Sequence, residues 1–224
     1  MDNKQLNRMG AQTRRGEIDA FRQFFSKHAS IFRDYTFVDM YELSEEATLD
    51  GGDCCACYES KQLFVGLSSR TNEEGIKVYQ NALKKIGWEV TPIRVKKGLH
   101  LKSFMTYMLG LSQTSGESTT TNILLSISDD EIGRDIYSQI MPYSSDSVKY
   151  KAVFVPDVDA CNVVSIKCTD KRVIVYKKGF EQSEKVFLSL REELKNQVPI
   201  EFIPLDYDEL AKIDGCLTCC SVLF

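Results

Sequence analysis

CCACYESKQLFVGLSSRTNEEGIKVYQNALKKIGWEVTPIRVKKGLH, residues 54–100, decides the fold. Two short runs, 54–57 and 63–67, flank a polar turn and read as a hairpin. Thr71 then stands three residues before Glu74, a capping-box pattern. Ile76, Tyr79, Leu83 and Ile86 keep helical spacing up to Gly87, a residue suited to end a helix. A strand, Trp88–Val95, follows, and the stretch runs into Gly98-Leu99-His100-Leu101-Lys102. The unit is strand, strand, helix, strand, roughly fifty residues long.

The plan recurs on both sides. Upstream, a helix over Glu17–Phe32 puts Ile18, Phe21, Phe25 and Phe32 on one face. A strand at Thr36–Leu43 and the segment Leu49-Asp50-Gly51-Gly52-Asp53 come next. Downstream, a looser copy has a helix at Asp130–Ile140, a strand at Ala152–Val155, and then Asp157 through Asn162. The last copy pairs 162–167 with 172–176. It adds a helix at Glu181–Asn196 with Val186, Leu190 and Leu194 inward, and a strand at Ile200–Leu205. A helical turn, Asp208–Lys212, leads into Asp214-Gly215-Cys216-Leu217-Thr218-Cys219-Cys220. Such units set around an axis bury each sheet against its neighbours and its own helix. The expected class is α/β, as one domain over 1–224. Gln113–Thr121, rich in Ser, Thr and Gly, reads as an irregular surface insertion.

Composition narrows the function. A 43% apolar and 27% charged chain is that of an ordinary globular protein. The net charge of −4 argues against nucleic acid as the main partner, because phosphate binding needs a basic surface. No apolar run is long enough to span a membrane, and the polar start Met1-Asp2-Asn3-Lys4 does not resemble a signal peptide. Eight cysteines without an export signal lead to an expectation of free thiols in the reducing cytosol.

Asp50, His100 and Cys219 each follow a repeat's closing strand, so pseudo-symmetry would gather them at one end of the axis. A thiolate can attack, a histidine can move a proton near neutral pH, and a carboxylate can hold the ring in one tautomer. Bland readings stand beside this one. His28 lies inside the first helix as a surface or packed residue. Cys54, Cys55 and Cys57 alternate along a strand as small apolar side chains, and Cys161 and Cys168 look structural. Cys216 and Cys219 form a C-x-x-C pair, which suits a redox motif or half a zinc site completed by the Cys54–Cys57 group.

Four motifs carry a family resemblance: Thr48-Leu49-Asp50-Gly51-Gly52-Asp53; Phe64-Val65-Gly66-Leu67-Ser68-Ser69-Arg70-Thr71-Asn72; Gly98-Leu99-His100-Leu101-Lys102-Ser103; and Asp214-Gly215-Cys216-Leu217-Thr218-Cys219-Cys220-Ser221-Val222-Leu223. In order and spacing, with Gly10-Ala11-Gln12-Thr13-Arg14-Arg15, they resemble the dimethylarginine dimethylaminohydrolase family. The resemblance implies a pentein-type α/β propeller of ββαβ repeats. It implies that Cys219 attacks the guanidinium carbon of N-methylated arginine. His100 would protonate the departing amine and then activate the water that releases citrulline, and Asp50 would orient His100. Arg70 and Arg14 would bind the amino-acid end of the substrate, and Ile213 would contact it through its backbone. No cofactor is implied; zinc would act as an inhibitor at Cys219.

The same resemblance sets an expectation about the N-terminus. The match starts just before Gly10, so the first repeat and part of the second, with a Phe-x-Glu-Asp segment that grips the substrate, are expected to be missing. Losing two charge-assisted contacts of about 1.5–3 kcal/mol each would weaken recognition by roughly two to four orders of magnitude. The rival readings are a non-catalytic pentein with a binding or regulatory role, another guanidine-modifying enzyme such as an arginine deiminase or amidinotransferase, and a thiol redox or zinc protein.

Overall fold

The computed structural model describes residues 3–33, 36–115, 118–212 and 215–221. The chain opens on β1 (Asn3–Leu6), α1 (Glu17–Lys27), β2 (Thr36–Asp39) and a helical turn α2 (Met40–Leu43). Three complete ββαβ units follow. The first is β3 (Cys54–Cys57), β4 (Gln62–Leu67), α3 (Glu73–Lys84) and β5 (Glu89–Arg94). The second is β6 (Met105–Ser115), β7 (Ser118–Ser128), α4 (Glu131–Ile140) and β8 (Val148–Val155). The third is β9 (Val164–Lys167), β10 (Arg172–Lys177), α5 (Glu181–Leu194) and β11 (Ile200–Leu205), trailed by α6 (Asp208–Ala211).

Each unit forms its own three-stranded sheet. The first two strands are antiparallel, and the third returns through the helix to lie parallel to the second. β1 and β2 pair in parallel around α1, which is the second half of the same unit. β3 packs on β6 and β6 on β9, so the first strands of the three sheets line a common axis. The returning strands are the outer edges. That explains why β5 and β11 tolerate Pro92 and Pro204: an edge strand can lack one ladder donor.

The sequence puts these elements where they are by local rules. Asn72 caps α3 by accepting from the Gly75 amide at 2.8 Å, and Asp130 caps α4 by accepting from Gly133 at 2.7 Å. Both glycines let the helix start press on the preceding strand or turn: an added Cβ would sit 2.1 Å from the Thr48 carbonyl oxygen or the Ser128 carbonyl oxygen. Gly87 ends α3 at φ +77°, the left-handed turn a glycine accepts without strain. Between the blades lie apolar layers. One gathers Phe64, Ile123, Leu125, Ile136 and Ile140, and the next Met108, Ile174, Phe187 and Leu190.

Several expectations shift. Thr71 is not the cap of α3; Asn72 is, and the Thr71 hydroxyl is spent elsewhere. Met40–Leu43 is helical, because Asp39 accepts from the Tyr41 amide and caps it. The helix expected to reach Phe32 ends at Lys27, with Phe21 exposed. On α5 the fully buried apolar residue is Phe187, while Val186 is half-buried. Gln113–Thr121 is not an irregular loop: within it, 113–115 and 118–121 continue β6 and β7. Threonine pairs face each other across the ladder, as in Thr114 with Thr119. Leu217–Cys220 is a turn of 3-10 helix, and 222–224 lie outside the described residues.

Candidate active site

The segments after the units' closing strands contain short 3-10 turns, at Gly51–Asp53, Leu101–Ser103, Val158–Cys161 and Leu217–Cys220. The residue that opens each turn is Asp50, His100, Asp157 and Cys216. By strict repeat phase Cys216 is therefore the counterpart of Asp50 and His100. Cys219 stands three residues on, with its amide donating to the Cys216 carbonyl at 2.9 Å.

His100 Nε2 lies 3.1 Å from Asp50 Oδ2. Asp50 is 2% exposed, and its other oxygen accepts from the Gly10 amide at 2.8 Å. Burial pushes the Asp50 carboxyl upward, but hydrogen bonds from His100 and Gly10 and the nearby positive charges more than offset it, so the net shift is down. An ionised carboxylate only accepts. Nε2 must therefore carry the proton, which leaves Nδ1 as the nitrogen free to take or give one. Gly52 lies flat against the ring: a Cβ there would meet His100 Cγ at 2.6 Å and Nδ1 at 2.7 Å.

Asp53 is a site residue that sequence reasoning quoted within a motif but gave no role. It is 0% exposed. Its Oδ1 accepts from the Leu101 amide at 2.9 Å, and its Oδ2 from Ser68 Oγ at 2.7 Å and Thr71 Oγ1 at 2.6 Å. Thr71 Oγ1 in turn accepts from the Asp50 amide at 3.1 Å. One carboxylate thus joins the Asp50 turn, the 68–71 loop and the His100 turn. The second aspartate of the Asp50-Gly51-Gly52-Asp53 segment was the available signal.

Cys219 is solvent-exposed, and its thiol is pulled down to about 5. The leading cause is a hydrogen bond from the Cys216 thiol. Burial works against it, and Lys102 and His100 add positive charge. Cys216 moves the other way for the same reason. Cys55 is also lowered, by Cys57, but it is 2% exposed and out of reach of an external electrophile. Burial raises Cys54 to about 12, and Cys161 also rises. The result is an exposed thiol drawn toward ionisation, within electrostatic reach of a histidine held by a buried carboxylate.

Alkylation of Cys219 by iodoacetamide, followed by mass spectrometry against pH, should be half-maximal near pH 5. Cys216→Ala should move that midpoint up more than Lys102→Met does, since the hydrogen bond is the larger cause. An unshifted midpoint in both variants would contradict this account of the thiolate.

The binding candidates are placed unequally. Arg14 reaches the site: its Nη1 is 3.6 Å from Asp50 Oδ2, while Nε and Nη2 hold Glu17 at 2.8 and 2.9 Å. The helix-entry pair with Glu17 and the approach to Asp50 are both real. Arg70 is half-buried, and its backbone packs on Gly10, where an added Cβ would lie 2.3 Å from the Arg70 carbonyl oxygen. Ile213 lies outside the described residues. His28 closes α1 against the Phe24 ring, at 4.7 Å between centroids. A cavity of about 280 Å³ opens among the inner strands, lined by Gly51, Lys102, Tyr107, Ser165 and Thr218. It is flanked by neighbours of the three candidate residues and not by those residues themselves. Among the described residues no group of three or more His, Cys, Asp or Glu could hold a metal, and no helix is long and apolar enough to cross a membrane.

Known proteins are similar to this chain in sequence and fold. A family model described as arginine deiminase matches residues 5–107. An uncharacterized protein of Aeropyrum pernix is 33% identical over 103 residues, 46% of this chain and 34% of its own length. An N(G),N(G)-dimethylarginine dimethylaminohydrolase of Streptomyces coelicolor is 24% identical over 217 residues, 97% of this chain and 67% of the relative. This chain thus spans about a third of the archaeal protein and two thirds of the bacterial one. Among solved structures, the dimethylarginine dimethylaminohydrolase of Pseudomonas aeruginosa, a cysteine-to-serine mutant complexed with citrulline, superposes with a TM-score of 0.62. It is 20% identical and covers 99% of this chain and 70% of that one.

Proposed function

We propose that this chain is a guanidino-group-modifying enzyme of the pentein superfamily and, within it, a hydrolase of N-methylated arginine. The observation that carries this reading is the acid-shifted, exposed Cys219 within electrostatic reach of a His100 whose Nε2 is held 3.1 Å from buried Asp50. A guanidinium carbon is a poor electrophile, so the sulfur must attack as the thiolate, and a lowered thiol pKa favours that form. In this reaction the Cys219 thiolate adds to that carbon. His100 Nδ1 delivers a proton to the departing dimethylamine or methylamine, leaving a thiouronium on Cys219. His100 then takes a proton from water, whose oxygen adds to the same carbon. The C–S bond breaks and citrulline leaves. Water and substrate balance citrulline and amine, so no cofactor is required. Arg14 and Arg70 are the candidates for the substrate's carboxylate, and Ile213 for a backbone contact. Zinc at Cys219 would compete with substrate.

The arginine deiminase model that matches residues 5–107 favours a second reading, in which unmethylated arginine is the substrate and ammonia the product. Both readings yield citrulline, so the amine decides. Incubating the chain with asymmetric dimethylarginine, monomethylarginine and arginine, and quantifying dimethylamine, methylamine and ammonia, separates them. Dimethylamine or methylamine released faster than ammonia supports the methylarginine reading. Ammonia from arginine alone overturns it in favour of deimination.

A further inference from the structure

We propose that Asn162 is a positioning residue that sets the spacing between the nucleophile turn and the histidine turn. It touches neither Cys219 nor His100. It lies at the end of the Val158–Cys161 turn, in the second complete unit, whose closing turn has no residue in the proposed chemistry. Its side chain is 4% exposed, and every bond it makes crosses to another unit. Nδ2 donates to the Lys102 carbonyl at 2.8 Å and to Thr218 Oγ1 at 3.1 Å. Oδ1 accepts from the Thr218 amide at 3.0 Å. Lys102 is two residues from His100, and Thr218 is one residue from Cys219.

The amide therefore uses both donors and an acceptor to tie the two turns into one rigid piece. No smaller side chain could do this, and a carboxylate could not, because it has no donor for the Lys102 carbonyl. The neighbours of Asn162 do not compete for the role. Cys161 Sγ bonds the Ser103 carbonyl at 3.4 Å, and Asp157 is taken up by Ser183 at 2.6 Å. Reacting groups must be held to within a fraction of an ångström, and a misplacement of about 1 Å can cost 10²-fold in rate. Among the described residues no hydrogen bond runs directly between the Cys219 turn and the His100 turn, so the Asn162 side chain is their hydrogen-bonded link.

The inference rests on the methylarginine reading only for its turnover assay; the labelling of Cys219 is independent of substrate. Asn162→Ala should lower kcat about ten-fold, with KM within two-fold, and slow iodoacetamide labelling of Cys219 at pH 6 by a similar factor. Thr218→Val, which keeps the backbone bond to Asn162, should show a smaller loss. The double variant should be no worse than Asn162→Ala alone, since both changes cut the same bridge. If Asn162→Ala does not fold, Thr218→Val carries the test. Wild-type labelling and kcat in whichever variant folds overturn the proposal. Slowed labelling in a chain that turns over no methylarginine leaves Asn162's role standing and removes the substrate reading.

Discussion

Cys219→Ser is expected to abolish both citrulline release and covalent labelling by a chloroacetamidine, a loss of at least about 10⁴-fold. The fold should be unchanged, because the side chain is exposed and belongs to no apolar layer. A serine hydroxyl cannot be ionised by the modest field that lowers the Cys219 thiol, so the nucleophile disappears while the histidine and its carboxylate remain. Two neighbouring thiols make the prediction sharp. Cys220 is engaged by the Tyr207 hydroxyl at 2.9 Å, and Cys220→Ser should therefore keep most of the activity. Cys216 occupies the repeat-phase counterpart of His100 and donates its hydrogen to Cys219. Its loss should slow the reaction and raise the labelling midpoint, but not abolish either. If Cys216→Ser is the dead variant and Cys219→Ser retains turnover, the nucleophile has been placed three residues too late.

The blades were legible in the sequence because each is written in local signals: a two-run hairpin, a helix of period 3.6, a returning strand, and a turn. Residues 54–100 alone contain one complete copy. Asp50, His100 and the C-x-x-C pair were legible because polar residues recur at the same phase of each copy. What could not be read was the wiring across copies. Nothing local in Asp157 through Asn162 says that the Asn162 amide spans two other units. Nor does Leu101-Lys102-Ser103 announce that its first amide is held by a carboxylate 48 residues away. The misreadings have the same origin. Thr71 has a capping pattern, yet its hydroxyl is drawn to buried Asp53, and Asn72 is left to cap α3. Gln113–Thr121 has a loop's composition, but threonine is as much at home in a strand once a partner strand lies opposite. Tertiary bonds, not propensity, decided both.

Those cross-unit contacts also give the second large effect. Gly52→Ala should cost about 10²-fold in turnover while leaving stability and Cys219 labelling near wild type. The backbone at Gly52 does not require glycine, since its φ is not in the left-handed region. What it requires is space: the new Cβ would stand 2.6 Å from His100 Cγ and 2.7 Å from Nδ1, nearly an ångström closer than carbon packing allows. The ring cannot absorb this by sliding in place. Its far edge is fixed at Asp50 Oδ2, 3.1 Å away, and the amide that follows His100 is pinned to Asp53. It must swing off the proton-transfer line or release Asp50, and either change removes the group proposed to protonate the leaving amine. Gly51 is the internal control. It is next in sequence and in the same 3-10 turn, yet a Cβ there meets nothing within 4 Å, so Gly51→Ala should be almost silent. A Gly52→Ala variant as active as Gly51→Ala would mean that the ring has room to move and that its position over Gly52 is not what the reaction depends on.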